Sequence, residues 1–216
     1  MARATKVKAA DAIEIARPLF REITVHIKGN APLVIRRFSE KFKQETTEKV
    51  VHGGVGGRRR RAFEARDLDD LFNEARYRSP EGWDGVHAGA FRAALISACR
   101  LVGFQMTRAK LALFVVPDGY DEKEPQIPLI RLYGDPKRQE DICRTVTGDP
   151  MLAVRARYDD WSAKLRIRYD ADQFKQDDVV NLLMRAGMQC GICEGRPDSK
   201  KSAGMGWGTF EVVGFE

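Results

Sequence analysis

The residues best suited to chemistry lie in the last fifth of the chain. There Gly195-Arg196-Pro197-Asp198-Ser199-Lys200-Lys201-Ser202-Ala203-Gly204-Met205-Gly206-Trp207-Gly208 separates a helical run from the strand-like Thr209-Phe210-Glu211-Val212-Val213. Gly204, Gly206 and Gly208 carry no Cβ, so backbone N–H groups are open to a close approach, and Lys200 and Lys201 bring positive charge beside them. The chemistry this pattern predicts is capture of an anion, as a phosphate or nucleic-acid cradle.

Two further cationic groups point the same way. Met151 to Tyr169 reads as a hairpin turning near Asp159-Asp160-Trp161-Ser162,. In that register Arg157 lies opposite Lys164 and Arg155 opposite Arg166, with Arg168 continuing the row, while Val154, Ala156, Leu165 and Ile167 face the core. Like charges directly opposed destabilise a sheet, so such a row is expected to have an anionic partner, and single-stranded nucleic acid is the obvious polyanion. The bland alternative is a solvated face relieved by Asp159, Asp160, Asp170 and Asp172. The third group is Arg58, Arg59, Arg60 and Arg61, which follow the glycine-rich His52-Gly53-Gly54-Val55-Gly56-Gly57. Four guanidinium groups on a flexible tether suit a clamp over a phosphate backbone, reinforced by Arg36, Arg37, Arg108 and Lys110 if the fold brings them near.

Base stacking would fall to aromatic side chains, and the candidates are Trp207, Phe210, Trp161, Tyr158 and Tyr169, with Trp207, set between glycines, the leading one. Catalysis is not required by this reading. His26 or His52 as the general base of a metal-independent ribonuclease is the alternative. Cys190-Gly191-Ile192-Cys193 is a lone CxxC without the second pair a closed zinc site needs, and Asp118, Asp121, Glu122 and Glu124 read as a solvated turn. No metal and no cofactor are expected.

These residues must be positioned by a small set of elements. Glu22 to Arg37 is extended, with Ile23, Val25 and Ile27 alternating with polar residues and an interruption at Gly29-Asn30-Ala31-Pro32,. Val86 to Val102 has helical spacing and stops at Gly103, Leu111 to Val116 is a buried strand, and Gln176 to Met188 is a second helix with Asp177 and Asp178 in its first turn,. With the hairpin and the last strand, the order is strand, helix, strand, strand, helix, strand. It predicts an α+β, ferredoxin-like (RNA-recognition-type) antiparallel sheet with two helices on one face. The whole chain, 1–216, is expected to be one such domain, carrying an inserted basic segment at 38–77 and a second, polar and turn-rich insertion at 118–149.

Composition agrees with a globular protein. The 216 residues are 43% hydrophobic and 31% charged, with 37 Lys and Arg against 31 Asp and Glu, a net charge of +6. A surplus of that size makes the placement of charge matter more than its total. No apolar run approaches the length of about 18 residues that reads as a membrane span, so a cytoplasmic protein is expected. The four cysteines form no disulfide framework,.

The order of elements, together with the glycine-rich run Gly204-Met205-Gly206-Trp207-Gly208-Thr209-Phe210 leading into the last strand, resembles the RAMP superfamily, the ferredoxin-like RNA-binding proteins of CRISPR effector complexes. Within it the chain is more similar to the backbone subunits along a guide RNA than to the processing endonucleases, and the 38–77 insertion resembles their projecting segments. The resemblance implies a non-catalytic protein that binds single-stranded RNA, or DNA, as a homo-oligomer or a subunit of a ribonucleoprotein complex. It also implies two alternatives: a RAMP-like endoribonuclease, and a phage anti-defence protein that docks on or mimics a CRISPR complex.

Overall fold

The computed structural model describes residues 16–37, 47–48, 50–51, 67–144, 148, 150–200 and 204–216. In chain order the strands are β1 (Phe20–Gly29), β2 (Leu33–Ile35), β3 (Tyr77–Arg78), β4 (Asp84–His87), β5 (Leu113–Val116), β6 (Gly119–Tyr120), β7 (Pro128–Tyr133), β8 (Pro136–Arg144), β9 (Pro150–Tyr158), β10 (Ser162–Asp170) and β11 (Phe210–Phe215). The helices are α1 (Leu68–Glu74), α2 (Ala88–Cys99), α3 (Met106–Ala112) and α4 (Gln176–Arg185), the last running into a π-helical turn at Ala186–Cys190. The protein is α+β, with mainly antiparallel sheet.

The period-two alternation of β1 buries Ile23, Val25 and Ile27, and the matching alternation of β10 buries Ala163, Leu165, Ile167 and Tyr169,. The two strands pair antiparallel along their length, from Phe20 opposite Asp170 to Lys28 opposite Ser162. On the other side of β1 lies β11, with Val212 opposite Ile27, and beyond β10 lies β5, with Leu113 opposite Tyr169. The central order is therefore β11-β1-β10-β5, every neighbour antiparallel. At its start β10 also meets β7, which extends the sheet through β4 to β3.

One face of this sheet is covered by α2 and α4. Phe91, Leu95 and Ala98 of α2 and Val179, Val180 and Leu183 of α4 complete the core over Val25, Leu165 and Ile167, and Phe91 meets Phe210 edge-on at 5.9 Å. The acids placed in the first turn of α4 act as the helix dipole favours, Asp178 accepting the Lys175 N–H at 3.0 Å,. The expected first helix appears as α2 plus a 3-10 turn at Arg100–Val102, and it ends at Gly103 with φ of 72°,.

The hairpin expected over Met151 to Tyr169 does not form. β9 pairs with β8 and β2 in a separate three-stranded sheet, while β10 pairs with β1, β5 and β7. The residue expected in an exposed turn, Trp161, is 1% exposed. Its indole Nε1–H donates to the Ala31 carbonyl at 2.9 Å, and its own carbonyl accepts the Gly29 N–H at 2.8 Å. Burying so large a side chain turns the backbone inward between the two arms, and they diverge. The Gly29 to Pro32 interruption is the matching corner, where the chain leaves β1 and enters the second sheet as β2.

Three other expectations change. The polar Asp135 to Gly148 stretch contains a nine-residue strand, β8, which alternates half-buried with exposed residues and buries none fully because it forms the outer edge of the second sheet. Leu111 belongs to a short helix, α3, ahead of β5. The acidic loop is not wholly solvated: Asp121 is buried and lies 3.0 Å from the Arg37 guanidinium, whose side chain is 2% exposed and which also meets Glu124 at 2.7 Å.

This buried pair ties the loop after β6 to the end of β2. Replacing Arg37 by methionine leaves two carboxylates facing a dry interior, and breaking a buried pair from one side costs about 3–5 kcal/mol. Urea unfolding of Arg37→Met is expected to show that loss as a lowered midpoint at unchanged slope; a loss below about 1 kcal/mol would show that the pair is dispensable.

Candidate nucleic-acid interface

The glycine-rich loop is built as a bracket joining β2, α2 and β11. Glu194 N–H donates to Val34 O at 3.1 Å, Ile192 N–H to Gly208 O at 3.0 Å, and Gly208 N–H to Pro32 O at 2.8 Å. The Asp198 carboxylate accepts from the Ser97 hydroxyl and from Arg100 at 2.8 Å, both at the far end of α2. The Ser97 hydroxyl and the Arg100 guanidinium hold Asp198 below the usual carboxylate range, against burial, which acts the other way,.

Gly204, Gly206 and Gly208 all have positive φ, at 75°, 74° and 66°. A Cβ on Gly208 would stand 2.0 Å from the Ile192 carbonyl, and one on Gly204 would stand 2.6 Å from the Arg196 carbonyl. Two of the three glycines therefore serve closure of the loop on itself, and Gly206 is the one facing open space,. The Trp207 ring packs on the backbone of Gly195, with the Arg157 guanidinium 5.9 Å from its centroid.

Between this loop, β2 and the start of α2 lies a recess of about 520 Å³. Its floor is Val34, Ile35, Val86 and Ala90, and its rim carries Arg36, Arg155, Arg196, Tyr77, His87 and Glu194. Arg155 is fixed there, its side chain 13% exposed and paired with Asp141 at 2.8 Å and Glu194 at 2.5 Å. The first turn of α2 borders the recess at His87 and Ala90, and a helix N-terminus is the end that favours negative charge,. Cys193 also lines the recess, in the left-handed region with φ of 61°, a conformation held only when its surroundings over-determine it,.

His87 has a defined role. Its Nδ1 accepts the Gly89 N–H at 2.8 Å as the N-cap of α2, so the neutral ring carries its hydrogen on Nε2 and offers a donor rather than a base,. His26 lies on the opposite face of the main sheet, 3.5 Å from the Glu216 carboxylate, and His52 lies outside the described residues. Burial pushes the Cys193 thiol up to about 12 and the Cys99 thiol up to about 11, and it raises Cys190 as well. Thiols so shifted stay protonated at neutral pH and are poor nucleophiles and poor ligands. Among the described residues no group of three or more His, Cys, Asp or Glu could hold a metal ion.

The five cations expected in one row are divided between two surfaces. Arg155 and Arg157 belong to β9 and sit by the loop, whereas Lys164, Arg166 and Arg168 point from β10 to the face of the main sheet that α2 and α4 leave open. The charges on that open face are matched. Lys164 meets Glu216 at 2.8 Å, Arg166 meets Asp118 at 3.5 Å, and Arg168 stands opposite Glu22 and 5.4 Å from the Phe114 centroid. Near the loop Arg157 is paired with Asp159 at 2.6 Å, while Arg36, Arg196 and Lys200 are exposed. Arg58, Arg59, Arg60, Arg61 and Lys201 lie outside the described residues. Of the further cations, Arg36 reaches the recess, Arg37 is buried elsewhere, and Arg108 lies over Phe104.

Four aromatic candidates for stacking, Phe210, Trp161, Tyr158 and Tyr169, are core residues and unavailable to a base. The Tyr158 hydroxyl donates to Asp84 at 3.0 Å, and burial first and Asp84 second raise its pKa. Tyr77, His87, Arg196 and Glu194 were not singled out by sequence reasoning as site residues. Only Arg196 and Glu194 lie next to a motif that could have drawn attention to them.

No known protein family matches this chain, and no curated protein is significantly similar to it. Among solved structures, one chain of the Type III-B Cmr-beta complex bound to cognate target RNA, determined by cryo-electron microscopy, is similar at 10% identity with a TM-score of 0.46. The similarity covers 91% of this chain and 60% of that one, so this chain spans less than two thirds of its length. No helix among the described residues is long and apolar enough to cross a membrane.

The bracket holding the loop predicts a pH signature. A carboxylate whose pKa is depressed on folding adds stability above its unfolded pKa and loses it as pH falls through the folded value. Asp198→Asn is therefore expected to unfold about 1 kcal/mol more easily at pH 7, with the gap from wild type closing below about pH 4. A gap independent of pH in paired denaturation curves would remove the charge from the explanation.

Proposed function

We propose that the chain is a non-catalytic, single-stranded nucleic-acid-binding protein, with RNA as its ligand and the loop-side recess as its contact surface. The observation that carries this reading is the convergence of Arg36, Arg155 and Arg196 on one concave site that also receives the first turn of α2 and the glycine-rich loop. Guanidinium groups grip phosphate in a bidentate way, and a helix N-terminus is the end that favours negative charge. Lys200, with Lys201 beside it in sequence, extends the positive charge along the loop. A recess of about 520 Å³ suits the nucleotides of one strand rather than the rigid rod of a duplex,.

The β11-β1-β10-β5 order with α2 and α4 on one face supports a ferredoxin-like core,. The glycine-rich loop entering β11 supports a RAMP-like role, with protomers sharing one strand or joining a ribonucleoprotein complex. Within this reading Arg155 lines the recess, Arg157, Lys200, Gly206 and Trp207 serve the ligand from the loop beside it, Gly204 and Gly208 shape the loop, and Lys201 and Arg58, Arg59, Arg60 and Arg61 add positive charge for the strand. Lys164, Arg166 and Arg168 contribute to the field from the other face.

The test is fluorescence anisotropy with a labelled single-stranded RNA across a salt series, on protein purified without nuclease treatment and then freed of nucleic acid. Binding is expected to weaken steeply with salt, and Arg36→Ala with Arg196→Ala, the two exposed guanidinium groups of the rim, is expected to lower affinity at least about tenfold and flatten the salt slope by about two phosphate contacts. Lys164→Ala, in a matched ion pair, is expected to change affinity less than about threefold. Absence of binding, or binding indifferent to salt, would sink the assignment.

A further inference from the structure

The recess is more than a phosphate site needs, and resting on the reading above, we infer that it accepts one unstacked base bearing an exocyclic amino group, with the Glu194 carboxylate as the acceptor that reads it. Phosphate is bound at the rim by charge and has no use for the apolar surface that the half-buried Ala90, Tyr77 and Cys193 present over the buried Val34, Ile35 and Val86. A flat heterocycle does, because its faces are apolar and its edges polar. The recess, at about 520 Å³, lies within the size range of small-ligand pockets,. Single-stranded RNA is read in this way, with a base turned out, stacked on an aromatic ring or a guanidinium plane, and hydrogen-bonded along its edge.

The second observation is the sign of Glu194. A carboxylate on the rim of a polyanion site repels phosphate, and one whose second oxygen faces the recess suits an N–H donor better than a phosphate. Its Oε2 is held by Arg155 Nε–H, and Arg155 is held in turn by Asp141 at 2.8 Å, so the carboxylate is locked in orientation from one side. A carboxylate has about four acceptor positions over its two oxygens, so Oε1 keeps the capacity to accept an N–H from a base. Cytosine offers its N4 amino group to such an acceptor, and uracil puts a carbonyl oxygen in the same place, lone pair against lone pair. His87, a donor at Nε2, and the Tyr77 ring stand on the same rim.

Cytosine and uracil share ring size and backbone and differ along one edge, at the exocyclic group and at N3, which is a bare acceptor in cytosine and an N–H donor in uracil, so fluorescein-labelled oligocytidylate and oligouridylate ten-mers separate reading of that edge from phosphate binding. Wild-type protein is expected to bind oligocytidylate about tenfold more tightly, the size of one good base-edge contact. In Glu194→Gln the amide can turn either a donor or an acceptor to the base, so the ratio is expected to fall to within about twofold. Oligouridylate affinity should hold or rise in that variant, because a negative charge has left the site, and this also reports that it is folded. Equal wild-type affinity for the two oligomers overturns the inference, as does a ratio unchanged by Glu194→Gln. Equal loss of both ligands in the variant overturns it too, since Glu194 would then act only by positioning Arg155. Failure of every RNA to bind would instead remove the function proposed above.

Discussion

The arrangement turns on the burial of Trp161. Its indole sits beneath the corner formed by Gly29 to Pro32, hydrogen-bonded to Ala31, and from that point two pairs of strands separate: β1 from β2, and β10 from β9. One continuous two-layer sheet would have left no recess beside the helices. Because the second sheet leaves the first at this corner, β2 and β9 lean over the start of α2, and the gap between them is roofed by the loop that precedes β11.

That geometry sorts the charges. Cations on β10 face outward on the open side of the main sheet, each with an acid nearby: Lys164 with Glu216, Arg166 with Asp118, and Arg168 opposite Glu22. Those on β9 point toward the loop, where the exposed Arg36 and Arg196 add further positive charge. The acids that do occur there have specific partners: Asp141 and Glu194 orient Arg155, and Asp159 bridges Arg157 and Lys137. The loop is held from several directions by backbone hydrogen bonds and by Asp198 at the end of α2, and a rim supported in that way can keep a guanidinium in place without a ligand present.

The elements with clear periods were legible. Ile23, Val25 and Ile27 announced β1, Leu165 and Ile167 announced β10, the helical spacing near Phe91 and Leu183 announced α2 and α4, and Gly103 marked a helix end. β8 was hidden because an outer strand with no fully buried residue carries no apolar face for the sequence to show. Asp121 looked like a solvated acid because nothing local shows that Arg37 lies across from it. Nothing in the sequence marked His87, because its importance comes from capping a helix whose start borders the recess.

The amino-acid sequence by itself determined which side of the clearly periodic strands and helices would be buried, where the backbone could take left-handed turns, and that cationic side chains would cluster along particular segments. Those properties are local, set by side-chain period and by the absence of a Cβ. Strand partners were decided only in three dimensions, since alternation says which residues face inward and not which strand lies alongside. One buried tryptophan settled that choice for β9 and β10, and with it which arginines share a site.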